Sequence, residues 1–179
     1  RPSYRRSGLT GTLNAMVRRA ATVYSRLGHP VRPERPEIKL RGSDSMSGSS
    51  AKAVIEKWVG YLATGDMDAI VATFADDAVI DMPGSSDLPW AGRWQGAAKI
   101  DEYFKVMPAA LKIIEHEHKI WVAEDDMVAV TGLEVAASHI SGKDYRAKWC
   151  WVFQVRGDKI VLWDAYEDTE AMASCGPYR

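Results

Sequence analysis

The spacing of apolar residues changes once along this chain, near Leu111, and that change limits the possible folds more than any other feature. Upstream, Val54, Ile55, Trp58, Val59 and Leu62 recur at the 3.6-residue period of a helix, and Met67, Ile70, Val71 and Phe74 form a second short set. Downstream the period is two. Ile114, His116, His118, Ile120 and Val122 alternate with Glu115, Glu117, Lys119 and Trp121, as in a strand with one wet face. Helices followed by a run of turn-connected strands predict an α+β domain, not a doubly wound sheet.

The punctuation refines this reading. Ser49 or Ser50 can cap a helix that ends near Gly65, and Asp66 can cap the next. Ala75-Asp76-Asp77 reads as a turn into a strand from Ala78 to Met82, which Pro83 stops. Gly84 to Gly96 reads as a loop carrying Trp90 and Trp94, and a third helix runs from about Ala97 to Met107, stopped by Pro108. The strand after Leu111 turns at Glu124-Asp125-Asp126 into Met127 to His139. Ser141 to Asp144 turns the chain into Tyr145 to Arg156, and Gly157-Asp158 leads into Lys159 to Asp168.

Charge separates the two ends of the chain. Residues 1–45 carry ten basic and three acidic residues, whereas the whole chain has a net charge of -1, so the remainder is acidic. The first segment is rich in Pro and Arg and lacks an apolar period. It is expected to be an artificial leader, upstream translation or a flexible extension, with the folded domain spanning residues 46–179. No apolar run of membrane-spanning length occurs and no secretory leader is apparent, so a cytoplasmic protein with no membrane or nucleic-acid partner is expected. Cys150 and Cys175 lack metal-ligand spacing and read as reduced structural thiols.

The run from Val54 to Ala78, with Gly65-Asp66-Met67-Asp68 and Phe74-Ala75-Asp76-Asp77 at its end, resembles the opening of ketosteroid isomerase. Pro83-Gly84-Ser85, Gly96-Ala97-Ala98-Lys99-Ile100 and Phe153-Gln154-Val155 with Gly157-Asp158-Lys159-Ile160 are similar to the wider SnoaL-like group. The resemblance implies a cone, also called nuclear-transport-factor-two-like, in which three helices pack on a strongly curved mixed or antiparallel sheet around an interior pocket. It implies fold more than reaction. The positions of the isomerase's aspartate base, tyrosine and second acid hold Met82, Trp58 and about Trp151 here, so that mechanism is not expected. The three charged positions of limonene epoxide hydrolase correspond to Gly132, Glu134 and Ala165, which leaves one acid. SnoaL-like cyclases need only an Asp or His in an apolar pocket.

Within that frame, polar residues on apolar strand faces are the candidates for chemistry. A two-residue turn at Asp125-Asp126 would put Glu117 opposite Glu134. One more loop residue would put His116 opposite Glu134 and His118 opposite Gly132, on one face with Ile120, Val122, Val128 and Val130, and this register avoids facing carboxylates. The expected catalytic residues are therefore Glu134 and His116, a general acid/base pair, with Asp81 at the end of the first strand as the alternate. Trp58, Met82, Trp90, Trp94, His118, Trp149, Trp151 and Trp163 are the expected substrate-binding residues, indoles suiting a flat apolar ligand that carries some oxygen. No metal and no cofactor are expected, because His116 and His118 lack an evident third ligand. The sequence thus predicts an acid/base enzyme of isomerase, cyclase, dehydratase or epoxide hydrolase type acting on a hydrophobic oxygenated small molecule. The alternatives are a non-catalytic binding module, or a homodimerising domain using Arg146, Lys148, Cys150, Val152 and Gln154 on the outer sheet face.

Overall fold

The computed structural model describes residues 48–178, so the expected basic leader at 1–45 and the domain start at Met46 lie outside the described residues. Helix α1 (Gly48–Thr64) buries Ala51, Ile55 and Trp58, three residues spaced to share one side of the helix. Gly65 then takes a positive φ of 69°, which ends the helix, and Asp66 caps α2 (Met67–Ala72) by accepting the Ala69 N–H at 3.1 Å. Within α2, Ile70 is buried, but Met67, expected inside, is exposed.

Strand β1 (Phe74–Met82) begins four residues earlier than the sequence suggests. Ala75-Asp76-Asp77 is not a turn. It lies in a strand that pairs parallel to the last strand at both Phe74 and Val79, with the register shifting between them. The Gly/Ser/Pro-rich stretch hides a short edge strand, β2 (Gly92–Gln95), paired antiparallel to β1. Helix α3 (Ala97–Ala110) does not stop at Pro108 but continues through it. The helix ends so soon afterwards that the missing proline N–H costs little, and His139 accommodates the end: its N–H donates to the Ala110 carbonyl at 3.1 Å and its Nε2 lies 3.2 Å from the Pro108 carbonyl.

Four long strands complete the sheet: β3 (Leu111–Glu124), β4 (Met127–Ser138), β5 (Asp144–Arg156) and β6 (Lys159–Glu167). The order across it is β2-β1-β6-β5-β4-β3, antiparallel except for the β1–β6 pair, so the fold is the expected α+β arrangement with a mixed, open sheet. A short helix not expected from the sequence, α4 (Thr169–Ser174), follows. Asp168 caps it by accepting the Ala171 N–H at 3.1 Å.

The β3–β4 hairpin decides where the histidines point. Its turn is the two-residue Asp125-Asp126, with Asp125 at a φ of 50°, and not the longer loop expected. His116 nevertheless faces Glu134 and His118 faces Gly132, because the extra residue sits in the strand, at a bulge around Lys119. The bulge shifts the side-chain alternation. Ile120 and Val122, expected on the histidine face, are instead 60% and 61% exposed, while Trp121 and Ala123 pack against the core.

The concave face carries a continuous aromatic core. The Trp58 ring meets those of Phe74, Phe104, Trp151, Phe153 and Trp163 at centroid distances of 5.1–6.4 Å, all edge-on. At the other end, the Gly84–Ala91 stretch and the C-terminal segment pack on one another. Trp90 is fully buried with Tyr178 edge-on at 4.9 Å, and Leu88 and Met172 are buried as well. The C-terminal segment is anchored by the β4–β5 turn: Ser138 Oγ donates to the Pro177 carbonyl at 2.7 Å and Ser141 Oγ to the Cys175 carbonyl at 2.5 Å.

Candidate functional site

Two rows of cross-strand neighbours on the concave face carry the polar chemistry. One runs His116, Glu134, Ala147 and the next runs His118, Gly132, Trp149, Glu167, across β3, β4, β5 and, in the second row, β6. Gly132, with no side chain, leaves room over the second row for an indole. A Cβ there would lie 2.0 Å from the Glu117 carbonyl oxygen and 2.1 Å from Trp149 Cζ2, so the indole lies across the space a side chain would fill. Trp149 in turn stacks on His116 (4.9 Å, 15°) and on Trp151 (4.2 Å, 22°).

Glu134 is 5% exposed, and Tyr145 donates its hydroxyl proton to Glu134 Oε1 at 2.6 Å. Burial raises the Glu134 pKa above its ordinary value, and the Tyr145 hydrogen bond works against that rise. His116 Nε2 stands 3.7 Å from Glu134 Oε2, adjacent but beyond hydrogen-bond length. Burial, helped by neighbouring His118, pushes the His116 pKa down to about 4, so the imidazole is neutral at neutral pH. Burial and the second histidine, and not the facing carboxylate, set the state of His116.

A second carboxyl, absent from the expected set, belongs to the same neighbourhood. Glu167 accepts the Trp151 Nε1–H at 2.9 Å through Oε1, while its Oε2 is shut off from solvent and has no hydrogen-bond partner among the described residues. Burial and then the charge of Glu134 push its pKa up to about 8, against the Trp151 hydrogen bond. Glu134 and Glu167 both act on the buried Tyr103 hydroxyl of α3, whose pKa is raised mainly by burial. Strand parity points to Glu167, which shares the Trp163 face of β6, and to Tyr145, which shares the Trp149 face of β5. Tyr103 carries no such signal, since a helical tyrosine in an apolar set reads as core.

Of the other expected residues, Trp58, Met82, Trp90, Trp149, Trp151 and Trp163 are buried in the core. Trp94 lies on β2, its N–H donating to the Trp90 carbonyl at 3.0 Å, with Tyr103 edge-on at 5.7 Å. His118 packs edge-on to His116 at 4.9 Å, and burial lowers its pKa. Asp81 does not join this group. It alternates with buried Ile80 and Met82, its side chain is 36% exposed, and it pairs with Arg93 across the β1–β2 ladder at 3.4 Å. A depression of about 720 Å³ lies elsewhere, lined by Val71, Phe74, Asp77, Ile100, Arg156 and Lys159 among others, and none of the expected site residues borders it. Among the described residues, no group of three or more His, Cys, Asp or Glu side chains is arranged to hold a metal, and no helix is long and apolar enough to cross a membrane.

Comparison with known proteins agrees with the architecture. An NTF2-like protein from Burkholderia xenovorans LB400 superposes with a TM-score of 0.67 at 23% identity, covering 73% of this chain and 98% of that one. TerC, co-crystallised with polyporic acid, gives 0.63 at 17% identity, with 70% and 96% covered. An LEH-like epoxide hydrolase from M. tuberculosis gives 0.57 at 21% identity, with 71% and 89% covered. No curated protein matches. A family model described as the SnoaL-like domain matches residues 55–163, from α1 to the buried Trp163 of β6. With α2, α3, the strands β1 to β5 and most of α1 and β6 inside that match, the chain belongs to the SnoaL-like domain family.

Proposed function

We propose that the protein is a cofactor-independent enzyme that moves a proton on a hydrophobic, oxygenated small molecule held against the concave face, with Glu134 as the proton-transferring group. The observation that carries this reading is the environment of one carboxyl. Glu134 is buried beside stacked indoles, held at one oxygen by Tyr145 and faced at the other by a neutral imidazole. A carboxylate fixed in this way, with burial making it more basic than in water, suits a general base. Tyr145 orients it, and His116 is placed to relay or accept a proton from the Oε2 side. The related folds include a protein named as an epoxide hydrolase and one crystallised with polyporic acid, which is compatible with this class of chemistry.

The net reaction need not be known to test this. Aryl ketones and enones incubated with the protein in deuterium oxide should exchange their α-hydrogens faster than buffer alone, as read by NMR. The Glu134→Gln variant, folded by circular dichroism, should lose the acceleration by about 100-fold or more. Exchange at buffer rate with every ketone, or an undiminished rate in the variant, refutes the proposal.

One observation favours a second reading. The outer sheet face presents Ile120, Thr131, Cys150 and Tyr166 in one row and Val122, Ala129, Val152 and Asp164 in the next, with Ile120, Val122 and Tyr166 all exposed. An apolar band across four strands suits self-association, and the protein would then be a homodimer through this face whether or not it is catalytic.

A further inference from the structure

Glu134 and the Tyr145 that holds it are each 5% exposed, so a molecule can reach this carboxyl only after part of the structure moves aside. The strands are tied by their ladders, and α1 and α3 are rooted by Trp58, Ile100 and Tyr103, all fully buried. The segment after β6 is held differently. Among the described residues it joins no strand ladder, and its helix α4 has six residues, too few to persist without support. Internal bonds make it one body: the Met172 N–H donates to the Asp168 carbonyl at 3.2 Å, and the Tyr178 hydroxyl donates to the Met172 carbonyl. At its start the Asp168 N–H donates to the Lys148 carbonyl at 3.1 Å. Three bonds fasten its far end at the β4–β5 turn, where Ser138 Oγ and Ser141 Oγ donate to the Pro177 and Cys175 carbonyls and Cys175 Sγ donates to the Asp144 carbonyl at 2.9 Å.

These fastenings lie beside the candidate site. Ser138 shares the buried face of β4 with Ala136 and Glu134, and Tyr145 stands opposite Ala136 on β5. Tyr178 is 5% exposed and packs edge-on to Trp90, and the Glu134 charge reaches its hydroxyl. Thr169, at the other end of the segment, lies against Gly84, where a Cβ would be 3.6 Å from its methyl group. We propose that residues 169–178 form a strap that closes this end of the concave face over Glu134, and that its release from the β4–β5 turn, hinged at Asp168, admits a small molecule. This rests on the reading above that Glu134 acts on such a molecule, and it adds how the site is entered. Turn hydroxyls suit a releasable fastening, because water can replace each bond to a strap carbonyl, while the buried Met172 and Tyr178 draw the strap back by removing apolar area from water.

Cys175, 6% exposed, reports release directly. In the full chain carrying Cys150→Ser, which leaves one thiol, its alkylation by iodoacetamide is followed by intact mass at rising urea below the unfolding transition. Release of the strap alone uncovers little surface, so the labelling rate should hardly respond to urea. Adding Ser138→Ala and Ser141→Ala should raise that rate by about tenfold or more while the far-UV circular dichroism spectrum stays the same. Exchange of aryl ketone α-hydrogens in deuterium oxide, below saturation, should be faster in the same variant. A labelling rate that climbs with urea as steeply as global unfolding overturns the inference, and this result needs no serine variant to fold. So does a folded variant in which labelling is unchanged, or in which ketone exchange, where the wild type shows it, is no faster. Absence of ketone exchange in every form, with labelling as expected, refutes the Glu134 reading and leaves the strap's release standing.

Discussion

Glu167 should make the stability of this protein fall with rising pH across a window in which most domains are indifferent. Its pKa stands at about 8 in the folded chain against an ordinary 4.5, so between those values the folded state binds the proton that the unfolded state has released. Stability from such a group is complete below about pH 4.5 and is lost as pH rises through 8, by at most about 1.36 kcal/mol per pH unit. His116 works in the opposite sense. Its pKa falls from 6.5 to about 4, so it adds stability as pH rises, most of it below 6.5 and only about 0.4 kcal/mol above, where the unfolded imidazole gives up its remaining proton. The two effects oppose one another most strongly up to pH 6.5, and above it the carboxyls dominate. Of the groups around Glu167, Glu134 shifts in the same direction, His118 is lowered, and Tyr103, Tyr145 and Tyr178 are all raised away from the window. Between pH 6.5 and 8 the loss amounts to about 1.5–2 kcal/mol, or roughly 6 °C in melting temperature for a domain of this size. Urea unfolding followed by tryptophan fluorescence at half-unit pH steps measures it directly. Glu167→Gln should flatten the slope whatever it does to absolute stability. A wild-type curve that is level or rising from pH 6.5 to 8, or a slope that survives in the variant, would show that this carboxyl is not buried with its proton.

Four further outcomes are expected. Gly132→Ala should destabilise the fold by about 3 kcal/mol and lower the melting temperature by roughly 10 °C, because its Cβ meets the Glu117 carbonyl at 2.0 Å and Trp149 at 2.1 Å; Gly60→Ala, with nothing within 4 Å on α1, should stabilise it by about 0.5–1 kcal/mol in the same calorimetric comparison. Tyr145→Phe removes the hydrogen bond that restrains Glu134, so the Glu134 carboxyl should titrate at higher pH than in wild type, as read by carbon-detected NMR. On the outer face, Ile120→Lys combined with Tyr166→Glu should convert any dimer seen by light scattering to monomer while leaving the circular dichroism spectrum unchanged.

Periodicity reveals the first three helices, the four long strands and most of the core because each buries one face, and one buried face leaves a regular trace in the sequence. It does not show the bulge at Lys119. A bulge is a choice between two pairings, settled by what the partner strand offers, and the sequence reaches the correct facing of His116 and Glu134 only through an extra loop residue that the hairpin does not contain. The strand β2 is four residues long and has no buried side chains, so there is no alternation to read. Pro108 looks like a stop because only the lost N–H is visible in sequence, whereas the carbonyl contacts from His139 depend on tertiary structure. In the candidate site, Glu134 stands out as an acid on an apolar face. Glu167 has the same signal in weaker form, at the last position of its strand, and Tyr103 has none. Asp81 is attractive from its place beside Met82, but strand parity turns it towards Arg93.

The bulge at Lys119 also separates two stretches of β3 that can change independently. Just before it, His116 and His118 meet the indoles of the interior, and just after it Ile120 and Val122 are displayed to whatever lies outside. A single strand of even pleat would tie these duties together, since altering one end would rotate the other. With the phase broken midway, the hairpin tip is free to acquire or lose partners while the histidines keep their aim.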